Sequence, residues 1–156
     1  MKYNKVMTDM LNAWYKDDRK FNNSYWYAET DEGIFLCIDG VMAINMPRCL
    51  FKLDMSIFDT PAISENMVKS LINGRTDAQE VFYKYEKPYE KDGKKLTIAV
   101  LDSIDSDGEI WINKNLLRYF DDKKCDLKFY ATKPNYPVYI YEDGQYCGLV
   151  LPVYHK

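Results

Sequence analysis

The stretch that most limits what this chain can fold into is Glu109–Val153, EIWINKNLLRYFDDKKCDLKFYATKPNYPVYIYEDGQYCGLVLPV. Ile110–Ile112 is an apolar run of strand length. Asn113 follows it, a residue type whose side chain accepts a hydrogen bond from the first turn of a helix. Leu116, Leu117 and Phe120 are spaced to make that helix's buried face. The residues then alternate: about Asp126–Ala131, Val138–Tyr141 and Tyr146–Leu151 each read as a strand. Asp143-Gly144 between the last two tolerates the backbone of a tight hairpin. Antiparallel strands packed on a helix, an α+β arrangement, satisfy this pattern.

The rest of the chain repeats the theme. Lys2–Lys16 carries Met7, Met10, Leu11 and Trp14 at helical period, with Tyr3 and Val6 beside them, and predicts a core-facing helix. Lys16–Lys20 reads as its solvated end and Asn22–Ser24 as a turn. Strands are expected over Ser24–Thr30, Gly33–Asp39 and Val41–Met46, with turns at Asp31-Glu32-Gly33 and Asp39-Gly40 and a stop at Pro47. Cys49–Met55 alternates and reads as another strand. Thr60-Pro61 has the form of a helix start, Ile63, Met67, Val68, Leu71 and Ile72 its apolar face, and Asn73-Gly74 its stop. Strands at about Glu80–Glu86 and Leu96–Leu101 bracket a charged segment, Lys87–Lys95, expected to be an exposed, mobile loop. Helix followed by strands thus occurs three times, a weak internal repeat. We expect one domain: a first unit over 1–47, an insertion or extra unit over 48–108, and a last unit over 109–156.

The 156 residues, 47% apolar and 29% charged, suffice for a real core. Fourteen tyrosines point first to a β-rich fold with half-exposed strands, and second to a contact surface. The formal charge of −3 gives no global attraction to nucleic acid or acidic membranes, although a local basic face is compatible with it. No apolar run approaches the roughly eighteen residues of a membrane span, and no signal-peptide core follows Met1, so a cytoplasmic protein is expected.

Chemistry-bearing patterns are scarce. The four cysteines, Cys37, Cys49, Cys125 and Cys147, form no C-x-x-C pair and the one histidine is His155, so neither zinc nor a nucleophilic triad is expected. The glycines stand singly, which excludes a phosphate-cradling loop. The acidic run Asp102–Glu109 lacks the ligand register of a calcium-binding loop. Paired carboxylates, Asp17-Asp18 and Asp121-Asp122, fall in charged helix ends. The reading is a protein without catalytic residues, metal or cofactor.

The closing stretch resembles the C-terminal domain of the bacterial DNA sliding clamp, the β processivity factor. That family enters a helix from a strand through Phe-Asn-Pro-x-Tyr-Leu, matched by Ile112, Asn113, Lys114, Asn115 and Leu116. It continues with Pro-hydrophobic-x-Ile, an acidic turn and a terminal hydrophobic-Met-Pro-hydrophobic-Arg-Leu. The matching residues are Pro137-Val138-Tyr139-Ile140, Glu142-Asp143-Gly144 and Val150-Leu151-Pro152-Val153. A second likeness, in the same order, sets Ile38-Asp39-Gly40-Val41-Met42-Ala43 against the family's Thr-Asp-Gly-x-Arg-Leu-Ala. The chain departs from the pattern with Val41-Met42 in the Asp-Gly motif and Tyr154-His155 at the terminal Arg-Leu, and it has room for a single domain.

The resemblance implies a clamp-like processivity fold: about three helices on a curved antiparallel sheet. It implies a non-catalytic accessory of DNA replication or maintenance, of the kind a phage or mobile element carries. Its partners would be double-stranded DNA, replication proteins bound through short peptide motifs, and further copies of itself, since a closed ring would need six such domains. Clamps hold the DNA backbone electrostatically, and the helix cations here are Lys5, Lys69, Arg75, Lys114 and Arg118, with Lys123 and Lys124 beyond. The same residues equally fit a solvated helix surface. A clamp's peptide groove would map to Gly40, Val41, Met42, Val150, Leu151 and Pro152, positions that strand packing explains as well. The alternative is a protein-interaction module, a decoy or inhibitor, that uses a clamp-like fold without DNA.

Overall fold

Among residues 1–58, 62–91, 93–103, 108–120 and 125–154, which the computed structural model describes, nine strands form one antiparallel sheet. They are β1 (Tyr25–Thr30), β2 (Gly33–Ile38), β3 (Met42–Met46), β4 (Gln79–Lys91), β5 (Lys94–Ser103), β6 (Ile110–Asn113), β7 (Leu127–Ala131), β8 (Val138–Glu142) and β9 (Gln145–Val150). Their spatial order is β1-β2-β3-β9-β8-β7-β4-β5-β6. Three three-stranded meanders lie side by side, each preceded by helical turns, and the last in sequence sits in the middle. β6, expected to open the final unit, ladders with β5 instead, Ala99 opposite Ile112. Where β3 meets β9, Gly148 has φ +153°, and a Cβ there would stand 2.3 Å from the Ala43 carbonyl oxygen. Only glycine fits that approach.

The sheet curls. From β3 to β6 is six strand spacings, about 29 Å if flat. Yet Leu151 donates its N–H to Val41 at 2.8 Å and Val153 donates to Trp111 at 2.6 Å. Two residues of chain reach only about 7 Å, so β6 is brought round towards β3. One face lines the main core, which runs from Tyr25 on β1 to Ile112 on β6 and is filled by Val6, Met7 and Met10 of α1 (Tyr3–Lys16) and Phe21 of α2 (Asp18–Ser24). The opposite face carries Phe35, Ala43, Tyr139 and Leu149, covered by α3 (Glu65–Asn73) through Val68.

Several expectations are corrected. Asn22–Ser24 is helix rather than turn: the Asp17 side chain accepts from Lys20 N–H at 3.0 Å, and buried Phe21 stacks on Tyr25 at 4.6 Å. Cap and anchor outweigh poor helix formers. Cys49–Met55 is not a strand but irregular chain between 3-10 turns at Arg48–Leu50 and Met55–Ile57. Its alternation serves the core through Phe51, Leu53 and Met55, while both edges of β3 are already occupied. Within the expected loop Lys87–Lys95, residues 87–91 and 94–95 are ribbon, with pairing continuing to Lys91↔Lys94, and Asp92 lies outside the described residues. The ribbon's alternation carries no hydrophobic signal because both faces are wet. Thr60-Pro61 and the middle of Asp102–Glu109 lie outside the described residues; α3 is capped by Ser64, with Gly74 following it as expected, and Met67 is 58% exposed rather than on the apolar face. The helix after Asn113 is a 3-10 turn, Lys114–Tyr119, whose cap is as expected.

Each sheet edge is met by another segment. Ile63 donates its N–H to Tyr27 on β1, and Val153 does the same to Trp111 on β6.

Candidate functional site

The six residues expected for a peptide groove come together. Met42 pairs with Val150, and Leu151 binds the Val41 carbonyl. Gly40 takes φ +64° in the turn before them. Met42 and Val150 are 2% and 0% exposed, so they are core and offer no surface. Val41 is exposed, and Leu151 and Pro152 are half-buried.

The five cations expected to meet DNA divide between the two faces. Lys69 on α3 pairs with Glu65 at 2.6 Å. Arg75, just beyond α3, stacks 4.3 Å from the Tyr146 ring centroid, donates to the Ile72 carbonyl and lies 3.5 Å from Glu32. Lys5, Lys114 and Arg118 belong to the α1 side. Lys5 pairs with Asp9 at 3.3 Å, and Lys114 holds both Glu86 oxygens at 2.5 and 2.6 Å. That contact, with a further hydrogen bond from Tyr83, keeps the Glu86 carboxyl below the usual carboxylate range. Lys123, Lys124, Asp121, Asp122 and His155 lie outside the described residues.

The α1-side cations are organised around Tyr119. Asn113 caps the 3-10 turn by accepting from Asn115 N–H at 3.1 Å, and this orients Tyr119, 0% exposed, into the core. The Tyr119 hydroxyl donates to Asp9 at 3.0 Å and accepts from Arg118 at 2.8 Å. Lys2 ties in the same turn, its N–H to the Tyr119 carbonyl at 2.7 Å and its Nζ to the Phe120 carbonyl at 3.0 Å. Burial holds Tyr119 above its ordinary pKa. Nearby Tyr25, 7% exposed, is pushed up to about 12, chiefly by burial. Both phenols are therefore neutral, and Tyr119 serves as a hydrogen-bonding strut between Asp9 and Arg118.

Arg118 and Lys114 share a groove of about 920 Å³ with Lys2, floored by Leu117, Leu127 and Phe129 and walled by Tyr83, Glu86 and Thr97 of the ribbon. Sequence reasoning placed Tyr83, Glu86 and Thr97 on strands but not in a site. The signal was there: Phe82-Tyr83-Lys84-Tyr85 breaks alternation, and a bulge between Tyr83 and Tyr85 leaves Phe82, Tyr83 and Tyr85 40–48% exposed. On the opposite face Glu109 accepts from Tyr85 at 3.0 Å and from the Trp111 indole at 3.1 Å, while Lys87 lies 3.3 Å from the Trp111 ring centroid. Among the described residues no group of three or more metal-ligating side chains gathers, and no helix is long and apolar enough to cross a membrane. Comparison with protein-family models, curated proteins and solved structures returned no match.

Proposed function

We propose that the chain is a non-catalytic, sliding-clamp-like accessory of DNA replication or maintenance that acts by binding. The observation carrying this is spatial. The Asp39-Gly40 segment and the terminal Val150-Leu151-Pro152 segment, over a hundred residues apart, meet in one ladder through Met42↔Val150 and Leu151 to Val41. Two clamp-like motifs that meet in one ladder fit a single architectural unit better than two chance matches. Fluorescence anisotropy with duplex DNA at low salt, for the parent chain and for Lys114→Glu with Arg118→Glu, tests the DNA limb. Binding that weakens with salt and with the charge reversals supports it; no binding at any salt removes it.

A second reading has its own support: a partner-protein module of the same architecture that holds no DNA. Four of the five candidate cations already have a carboxylate within 3.5 Å, and the five lie on both faces of the sheet. A DNA-backbone track needs uncommitted cations on one surface. Light scattering separates the readings: a ring-sized oligomer favours the first, a monomer or dimer the second.

A further inference from the structure

The groove holding Lys2, Lys114 and Arg118 combines two features that a DNA track does not need. It is concave, and its floor is apolar. A duplex presents a convex row of phosphates, which would leave Leu117 and Leu127, both half-buried, without a partner. A peptide with both acidic and apolar side chains satisfies floor and rim together. The volume, about 920 Å³, lies within the range of about 300–1,000 Å³ typical of ligand sites.

The rim's charge favours an acidic occupant. Among the described residues that line the groove, Glu86 is the one carboxylate facing Lys2, Lys114 and Arg118, and Lys114 is spent on it. Among the described residues Lys2 and Arg118 have no carboxylate within 4.0 Å. Among the described residues Lys2 uses one of its ammonium donors on the Phe120 carbonyl, and Arg118 donates to the Tyr119 hydroxyl, which in turn donates to Asp9. The bond from Arg118 to Tyr119, and the stacking of Arg118 at 4.7 Å from the Tyr119 ring centroid, fix the guanidinium before any ligand arrives.

We infer that this groove, between the 3-10 turn, β7 and the root of the β4–β5 ribbon, docks an acidic peptide segment of a partner protein. Lys2 and Arg118 take its carboxylates, and Leu117 and Leu127 take its apolar side chains. Glu86 occupies the third cation and so limits the site's strength. The inference rests on the partner-protein reading and names where and what that module binds.

A short fluorescein-labelled peptide alternating Asp with Leu is the probe, read by polarisation against the whole chain. Arg118→Glu and Lys2→Glu are each expected to weaken binding about tenfold, the loss of one charge-assisted contact. Glu86→Gln frees Lys114 and is expected to tighten binding severalfold. This gain cannot arise from a misfolded variant, so it stands even if Arg118→Glu perturbs the Tyr119 contacts. The inference is overturned if the peptide does not bind, if neither Arg118→Glu nor Glu86→Gln changes its affinity, or if a Lys/Leu peptide binds equally. Displacement by duplex DNA with the same dependence on Arg118 also overturns it, in favour of the DNA limb. Peptide display on the immobilised chain separates the levels. Selected peptides indifferent to Arg118→Glu remove this groove but leave the partner-protein reading; if no peptide is selected, both fall.

Discussion

The β3–β9 junction and the distal β4–β5 ribbon are built from the same antiparallel pairing, yet they sit in opposite environments. At the junction both faces are covered: Met42, Ile44 and Val150 face the main core, while Ala43 and Leu149 face α3, all at 2% exposure or less. In the ribbon, Lys87↔Ile98 is the last pair that a third strand flanks, since β7 reaches only Gln79–Val81 and β6 only Ile98–Leu101. Hydrogen bonding is similar in both places, so burial sets the difference. The junction holds the fold together, and the ribbon supplies surface.

The largest effect that would break this contrast is in the junction. Ile44→Ala should cost about 2–5 kcal/mol, seen as a lower urea midpoint with unchanged slope. A loss under 1 kcal/mol would show that the junction is not the stabilising centre. Next is Tyr119→Phe, which leaves Asp9 and Arg118 short of a hydrogen bond and should cost about 1–2 kcal/mol. A neutral outcome would mean water replaces the hydroxyl without penalty.

Alkaline titration comes third. A folded-state pKa near 12 for Tyr25, against about 10 when unfolded, means the unfolded chain releases its proton first. The Tyr25 contribution to stability should therefore be intact below pH 10 and fall by about 1.4 kcal/mol per pH unit from there to 12, on top of the decline from the other buried phenols and thiols. Tyr25→Phe should flatten that decline in a melting series. The smallest effect belongs to the ribbon: Tyr85→Ser should change stability by no more than about 0.5 kcal/mol. Amide exchange should likewise be faster at Tyr89 and Thr97 than at Ile44, and equal protection would erase the contrast.

How much of this was legible in the sequence follows the same division. Residues 25–46 and 127–150 carry apolar runs or alternation because one or both faces are dry, and their strands, turns and the Asn113 cap were readable from residue type. The ribbon was readable only at its root, where strands were expected at Glu80–Glu86 and Leu96–Leu101; beyond it, residues 87–90 and 94–95 leave no hydrophobic period to detect. Cys49–Met55 failed the other way: Phe51, Leu53 and Met55 give the period of a strand, but β3 had no edge left to offer. The Asn22–Ser24 helix depended on Asp17 and Phe21 acting from outside the segment. For the groove, Lys114 and Arg118 could be singled out as helix cations. Their meeting with Lys2, more than a hundred residues away, and with the ribbon wall is a product of the curl.

The segments lying along the two sheet edges bear on how fast this chain could join another, rather than how tightly. A partner strand adding to β1 or β6 must first lift Ile63 from Tyr27 or Val153 from Trp111. Association by strand addition would therefore be gated by a local opening and run below the usual docking rate. Docking through the side chains of the groove needs no such opening and can proceed as fast as the two surfaces collide in register.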